Sequence, residues 1–337
     1  MITRVITGPA LVTWNAVTYF TAGDIVVTFG REITDLVSSQ HGVYDRRHKS
    51  SKITIAFSPV GQINDLVGLM AATVTKVPGQ SVVPGGAGVE LPLIIYPLFN
   101  GGGASRVWTF TRAGLTAWGA FSAGATKPMA PQLTFTALES QVSAGVYFTS
   151  ASFSAAAGSI IDDFIAADVP TLPLEAVWAD DPATLASGDY TINAMDGWSI
   201  EPNYTVAEHF REEAGIADVT FVDIRPVISG EAANWYDHLA ALVPEQTQAT
   251  LLPFASRKPG MTSTRKKLSL RALSNDGTGG GASVSDGDIY LQFPKAEIDV
   301  TGLAWGQQVN RTGMVRFIST PVFASGVRAA MFDENFS

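Results

Sequence analysis

Cysteine is absent from all 337 residues, which removes disulfide frameworks, thiolate zinc sites and thiol nucleophiles together. Histidine is scarce, with four in the chain. Charge is thin as well: Asp, Glu, Lys and Arg make up 16% of the residues against 46% hydrophobic. Such a composition excludes intrinsic disorder. It also leaves little charge to solvate a large free surface, which points to a surface partly covered by partner subunits. Long apolar runs are missing, because Gly, Pro and Ser interrupt each one well short of the roughly 20 residues needed to span a bilayer. Met1-Ile2-Thr3-Arg4 does not begin the basic, apolar, small pattern of a leader peptide. Neither a secreted nor a membrane protein is expected.

The formal net charge is −9, and it is unevenly spread. Residues 1–168 hold 10 Lys+Arg and 10 Asp+Glu, whereas residues 169–337 hold 12 and 21. An acidic chain lacks the basic footprint with which nucleic-acid binders neutralise phosphates. The ordinary reading of the acidity is solubility.

What is present is punctuation and β-forming sequence. Gly (32) and Pro (18) recur throughout, and the segments between them are short and rich in β-branched and aromatic residues. Ile25–Phe29, Ile53–Phe57, Val107–Phe110 and Leu133–Thr136 read as strands. In the second of these, Ile53, Ile55 and Phe57 alternate with Thr54 and Ala56, as a half-buried antiparallel strand requires. Ile63, Leu66, Val67 and Met70 fall at helical spacing, predicting a short helix over 63–72. A strand over 218–224 and a second helix over 232–242 repeat that order.

The length predicts two domains, and aligning the halves makes them copies. Gly23-Asp24 matches Gly188-Asp189, Ser58-Pro59-Val60 matches Arg225-Pro226-Val227, and Gly61 matches Gly230. Met70-Ala71-Ala72 matches Leu239-Ala240-Ala241, and Gly101-Gly102-Gly103-Ala104-Ser105 recurs as Gly279-Gly280-Gly281-Ala282-Ser283. Phe110 with Arg112-Ala113 matches Phe293 with Lys295-Ala296, and Leu133 with Phe135 matches Val315 with Phe317. The expectation is a mainly β chain of two tandem β-sandwich or barrel domains, 1–167 and 168–337, each with one flanking helix. The junction falls near 162–173, and the second copy carries a Gly-rich insertion near 272–288. Strands that do not alternate with helices disfavour a doubly wound sheet.

No catalytic, metal or cofactor site is expected. His41 and His48 lie seven apart in a polar stretch with no ordered carboxylate pair to complete a ligand set. His209 sits in a charged loop, and Asp237-His238 has Gly68-Leu69 in the matching place. The Gly-rich stretches lack the Lys-Ser/Thr ending of a phosphate loop and the strand-to-helix setting of a dinucleotide fingerprint. Residues 276–288 lack the carboxylate spacing of an EF-hand and read as a hairpin tip. No Gly-x-Ser-x-Gly elbow occurs, so no enzyme is expected.

Two long connections stand out instead. Between the strands at 25–29 and 53–57 lies a polar loop of about 20 residues, a length commonly kept for function. It holds His41, Tyr44, Arg46, Arg47 and Lys49, with Lys52 beside them. The matching connection of the second copy, 197–218, is acidic: Glu201, Glu208, Glu212, Glu213 and Asp218 against Arg211. Opposite charge on equivalent loops suits head-to-tail contact between unlike copies. An ordinary solvated loop is the competing reading.

The order Gly23-Asp24, strand, long loop with Ser39-Gln40-His41-Gly42-Val43-Tyr44-Asp45-Arg46-Arg47, strand Ile53–Phe57, Pro59-Val60-Gly61 and short helix resembles the tail tube proteins of long-tailed bacteriophages. The resemblance implies a β-sandwich or barrel with a flanking helix and a long loop reaching neighbouring rings. It also implies trimeric, pseudo-hexameric rings for a duplicated chain, stacked into the conduit of a siphophage-like or other tail. The chain would then reside in the virion tail after assembly in the host cytoplasm. Its partners would be other copies of itself, a tape measure protein, tail tip and terminator proteins, and genomic DNA passing an acidic lumen without specific binding. The rival reading is a carbohydrate- or host-binding β-module of a tail tip or baseplate, with Trp108, Trp118, Trp198, Trp235 and Trp305 as a sugar platform.

Overall fold

The computed structural model describes residues 10–14, 17–60, 90–97, 105–124, 130–140, 146–153, 174–181, 185, 189–211, 215–232, 265–272, 289–304, 312–320, 323–324 and 327–328. Among them every regular element is a β-strand, and all the strand pairings are antiparallel. The first strands are β1 (Ala10–Trp14), β2 (Val17–Thr21), β3 (Val26–Ser38), β4 (Gly42–Phe57) and β5 (Pro59–Val60). There follow β6 (Glu90–Pro97), β7 (Ser105–Trp118), β8 (Phe121–Ala123), β9 (Leu133–Ala137) and β10 (Phe148–Phe153). The later strands are β11 (Leu174–Ala179), β12 (Tyr190–Asn193), β13 (Trp198–Glu201), β14 (Thr205–Arg211), β15 (Gly215–Asp223) and β16 (Val227–Ala232). Then come β17 (Lys266–Ala272), β18 (Ile289–Ala304), β19 (Thr312–Ser319) and a two-stranded pair, β20 (Phe323–Ala324) and β21 (Val327–Arg328).

One sheet runs β3-β4-β9-β7-β6-β1-β2-β5, with β10 also on β7. The other, read from its β8 end, runs β8-β13-β16-β19-β18-β17-β11-β12. From β13 to β12 the second sheet takes the places of β3, β4, β9, β7, β6, β1 and β2 in the same order. The registers repeat too. Ile55 lies opposite Phe135 and Ile228 opposite Phe317. Trp14 faces Leu93, which faces Phe110, just as Trp178 faces Leu268, which faces Phe293.

Both sheets curl until their ends meet. Only Ser58 separates β4 from β5, yet β5 pairs with β2 at the far end of the strand order. The Ala22 N–H donates to the Ser58 carbonyl at 2.8 Å. In the second sheet Ala194 bridges Ala232, and the Met195 N–H donates to Glu231 O at 2.8 Å. Each sheet is thus an open barrel filled by the inward residues of its strands. On β4 those are Ile53, Ile55 and Phe57, while Thr54 and Ala56 are less buried. Phe135 stacks on Phe57 at 5.5 Å and takes the edge of Trp14 at 5.0 Å. Each such large side chain contributes about 2–3 kcal/mol by leaving water. The indole N–H groups are satisfied in matching ways: Trp14 donates to Ala113 O at 3.3 Å, and Trp178 to Ala296 O at 2.8 Å.

The strands predicted at 25–29, 53–57, 107–110 and 133–136 fall on β3, β4, β7 and β9, with Ile25 just ahead of β3. The two long loops are corrected, because each folds as a β-hairpin. The first is the outer length of β3 and β4, and the second is β14 with β15. Two pairings are also corrected. Pro226-Val227 leads into β16 instead of ending the counterpart of β4, and Ala232 closes that strand instead of starting a helix. The helix segments 63–72 and 233–242, the junction at 162–173 and the insertion at 273–288 lie outside the described residues.

Candidate assembly interface

The two hairpins are built alike. Their turns end at Gly42 and Gly215, both at positive φ (+65° and +81°). Register slips follow Glu32 and Leu36 in the first and Thr205 and His209 in the second. Every one of these positions recurs 173 residues further on, so the two arms have equal length and equal bulges. They differ in direction. The first arm continues its sheet unbroken. The second leaves it at Pro202-Asn203, where Asn203 takes φ +48° and its Nδ2 donates to the Arg225 carbonyl at 3.1 Å.

That break lays the second arm on the first barrel. Val206, Ile216 and Val219 pack with Leu138 in one apolar cluster. Val219 lies over Gly114, where an added Cβ would sit 3.4 Å from the valine's own. Gly215 fits against Ser51 and Tyr147; a Cβ there would come within 2.6 Å of the Ser51 carbonyl and 2.8 Å of the Tyr147 hydroxyl. Polar groups fix the register around this patch. Lys52 Nζ donates to both Glu208 oxygens at 2.6 and 2.8 Å, and Thr136 Oγ1 donates to Glu208 Oε1 at 3.2 Å. Arg112 donates to the Ala217 carbonyl at 3.4 Å while ion-paired to Glu90.

Glu90 in turn is electrostatically coupled to Asp218 of the arm. Burial, aided by that coupling, raises the Glu90 pKa above the ordinary glutamate value even though Arg112 pulls it down. The same coupling holds Asp218 below the ordinary aspartate value. Tyr204, at the root of the arm, donates to Leu115 O at 3.2 Å and meets Trp118 edge-on at 6.3 Å. Its burial raises the phenol pKa.

A strand also crosses between the halves. β8 belongs to the first half of the chain but pairs with β13, placing Phe121 opposite Ile200 and Ala123 opposite Trp198. Gly124 and Gly197 let the two backbones close: a Cβ on Gly197 would lie 2.5 Å from the Ala123 carbonyl. The corresponding outer edge of β3 carries no strand among the described residues.

The predicted contact residues divide accordingly. Glu208 is engaged, and its partner is Lys52 at the root of the basic run, within the same chain. His41, Tyr44, Arg46 and Arg47 are exposed on the first arm, with Arg46 3.0 Å from Asp35. The backbone of Lys49 supplies the extra residue at the first slip of β4. Arg211 is exposed at the tip of the second arm, while Glu212 and Glu213 lie outside the described residues. His209 bonds Thr220 Oγ1 at 2.7 Å. Glu90, Leu138 and Gly215 were not singled out from sequence, and Arg112 was named only as a repeat match to Lys295. One signal was available: Gly42-Val43-Tyr44-Asp45 recurs as Gly215-Ile216-Ala217-Asp218. Of the tryptophans offered as a sugar platform, Trp118 and Trp198 are core residues, and Trp108 stacks on Phe148 at 5.3 Å; Trp235 and Trp305 lie outside the described residues. No protein-family model matches the chain, and no curated protein matches it either.

Proposed function

We propose that this chain is a self-assembling structural subunit, a tail tube protein of a siphophage-like virion, built by duplication of one barrel with one arm. The carrying observation is the one-way docking of its arms. The second arm rests on the first barrel, while the first arm stands exposed, with Ile33 53%, Val37 66% and Val43 51% accessible. A two-fold contact would engage both arms reciprocally. A head-to-tail contact leaves one donor and one acceptor unsatisfied and therefore repeats until it closes into a ring or runs on as a filament.

Ring closure supplies neighbours for the β3 edge, which carries no further strand among the described residues and which an isolated sheet leaves as a site for adventitious pairing. On this reading three chains give six barrels in pseudo-sixfold order. Stacked rings form a conduit, and the acidity of the chain discourages phosphates from adhering to its wall. The tape measure, tip and terminator proteins and the passing DNA are its partners. Mass measurement of assembled particles, with negative-stain microscopy, tests this. Rings of three chains are expected; a protein that stays monomeric at every concentration and salt would overturn it.

A further inference from the structure

The contact inside the chain serves as a template for the contact between chains. Strand registers fix which residue of the second barrel corresponds to each residue beneath the docked arm. Gly114 lies opposite Thr136 and Glu297 opposite Ile318, next to the matched Leu115–Phe135 and Ile298–Phe317 pairs. Glu297 and Ile318 are therefore the counterparts of Gly114 and Thr136. The Leu138 N–H donates to Arg112 O at 2.8 Å and the Thr320 N–H to Lys295 O at 2.8 Å, which makes Thr320 the counterpart of Leu138. Leu91 pairs with Ala113 and Lys266 with Ala296, so Arg265 stands where Glu90 does. Arg225, 173 residues after Lys52, takes that lysine's place.

Among the described residues no arm covers the surface so defined, where Arg225 is ion-paired to Asp223 at 2.5 Å. Thr136 and Leu138 are fully buried under the second arm, whereas Ile318 and Thr320 remain partly exposed. The buried Nε of Arg265 has no hydrogen-bond partner. The first arm has the matching shape, and its residues at the docking positions follow from the same interval. Ile33, Asp35, Val43, Asp45 and Arg46 stand for Val206, Glu208, Ile216, Asp218 and Val219.

Charge selects the pairing. We propose that the first arm of one chain docks on the second barrel of another copy, with Arg46 against Glu297, Asp45 against Arg265 and Asp35 against Arg225. This rests on the self-assembly reading and names its interface. The same arm on a first barrel would keep an acid against Lys52 and a carboxyl beside Glu90, as the second arm does, but would leave Arg46 over Gly114 without an acidic partner. That seat is moreover occupied by the second arm. A second arm on a second barrel would press Val219 onto the Glu297 carboxylate, an unfavourable desolvation. Unlike copies alternate because only this combination gives both Arg46 and Glu297 an opposite charge.

A charge swap tests the interface in the full-length protein. Arg46→Glu and Glu297→Arg, each alone, are expected to leave the chain folded by circular dichroism and to abolish multimers in mass measurement. Arg46→Glu combined with Glu297→Arg is expected to restore them. The absence of native cysteine allows a second readout: Val43→Cys with Thr320→Cys, counterparts of the packed Ile216 and Leu138, should give disulfide-linked multimers on oxidation. Single swaps that assemble like the wild type would overturn the interface. So would a double swap that fails to rescue together with a cysteine pair that gives no cross-linked species. A wild-type protein that never assembles fails the self-assembly reading itself, a distinguishable result.

Discussion

Two buried indoles carry matched duties at the residue scale. Trp14 and Trp178 fill corresponding places in the two barrels, and each satisfies a carbonyl of the long strand beneath it. Replacing Trp178 with Phe removes volume and leaves the Ala296 carbonyl without this donor. A loss of about 2–3 kcal/mol is expected in denaturant unfolding. The Glu90–Asp218 pair makes a different prediction. Because folding raises the Glu90 pKa, its contribution is complete below the ordinary glutamate value and is lost as pH rises through the folded pKa. Asp218, held low, contributes above the ordinary aspartate value and loses that contribution as pH falls through its folded pKa. The pair is strongest between those limits, in mildly acidic solution, with Arg112 and His209 as the other charges acting on it. Glu90→Gln keeps a donor toward Asp218 at every pH. The difference in melting temperature should therefore move in favour of the variant as pH rises from about 5 to about 8; a difference independent of pH would show that folding does not raise the Glu90 pKa.

The arms are the elements on which the molecule turns. Neither was visible as a strand pair in the sequence, since charged and small residues interrupt the alternation that marks a half-buried strand. Hairpin pairing holds the first arm and docking buries the second, so the same backbone is exposed in one place and covered in the other. Their glycines expose this difference. Ala at Gly42 pays only for its positive φ, about 1–2 kcal/mol, because nothing lies within 4 Å of the added carbon. Ala at Gly215 pays that strain and also strikes Ser51 and Tyr147. Gly215→Ala should exceed Gly42→Ala by about 1–2 kcal/mol in equilibrium unfolding. Equal losses would mean that the second arm does not rest on the barrel in solution.

For the whole molecule, the exchange of parts couples the halves. The first half donates β8 to the second sheet, and the second half lays its arm on the first. The second sheet is incomplete without β8 and the first barrel is covered by the second arm, so calorimetry of the intact chain should show one cooperative transition. Two separated transitions would contradict that coupling.

Composition and pattern alone determined that the chain is mainly β, and they placed the central strands. Ile53, Ile55 and Phe57 face the core because period two and burial are local properties. The matches of Phe110 with Phe293 and Phe135 with Phe317 also stand in register, because large core residues are constrained by the strands around them. The matches of Asp24 with Asp189 and of Pro59-Val60 with Pro226-Val227 slipped, because turn residues recur wherever a chain bends and carry no information on packing. Only the tertiary structure decided that the long connections are arms, that both share one interval of 173 residues, and that Glu90, Arg112 and Asp218 meet. The contacts with Asp218 join residues more than 100 positions apart. They depend on how one barrel is turned against the other, a relation that no local periodicity encodes.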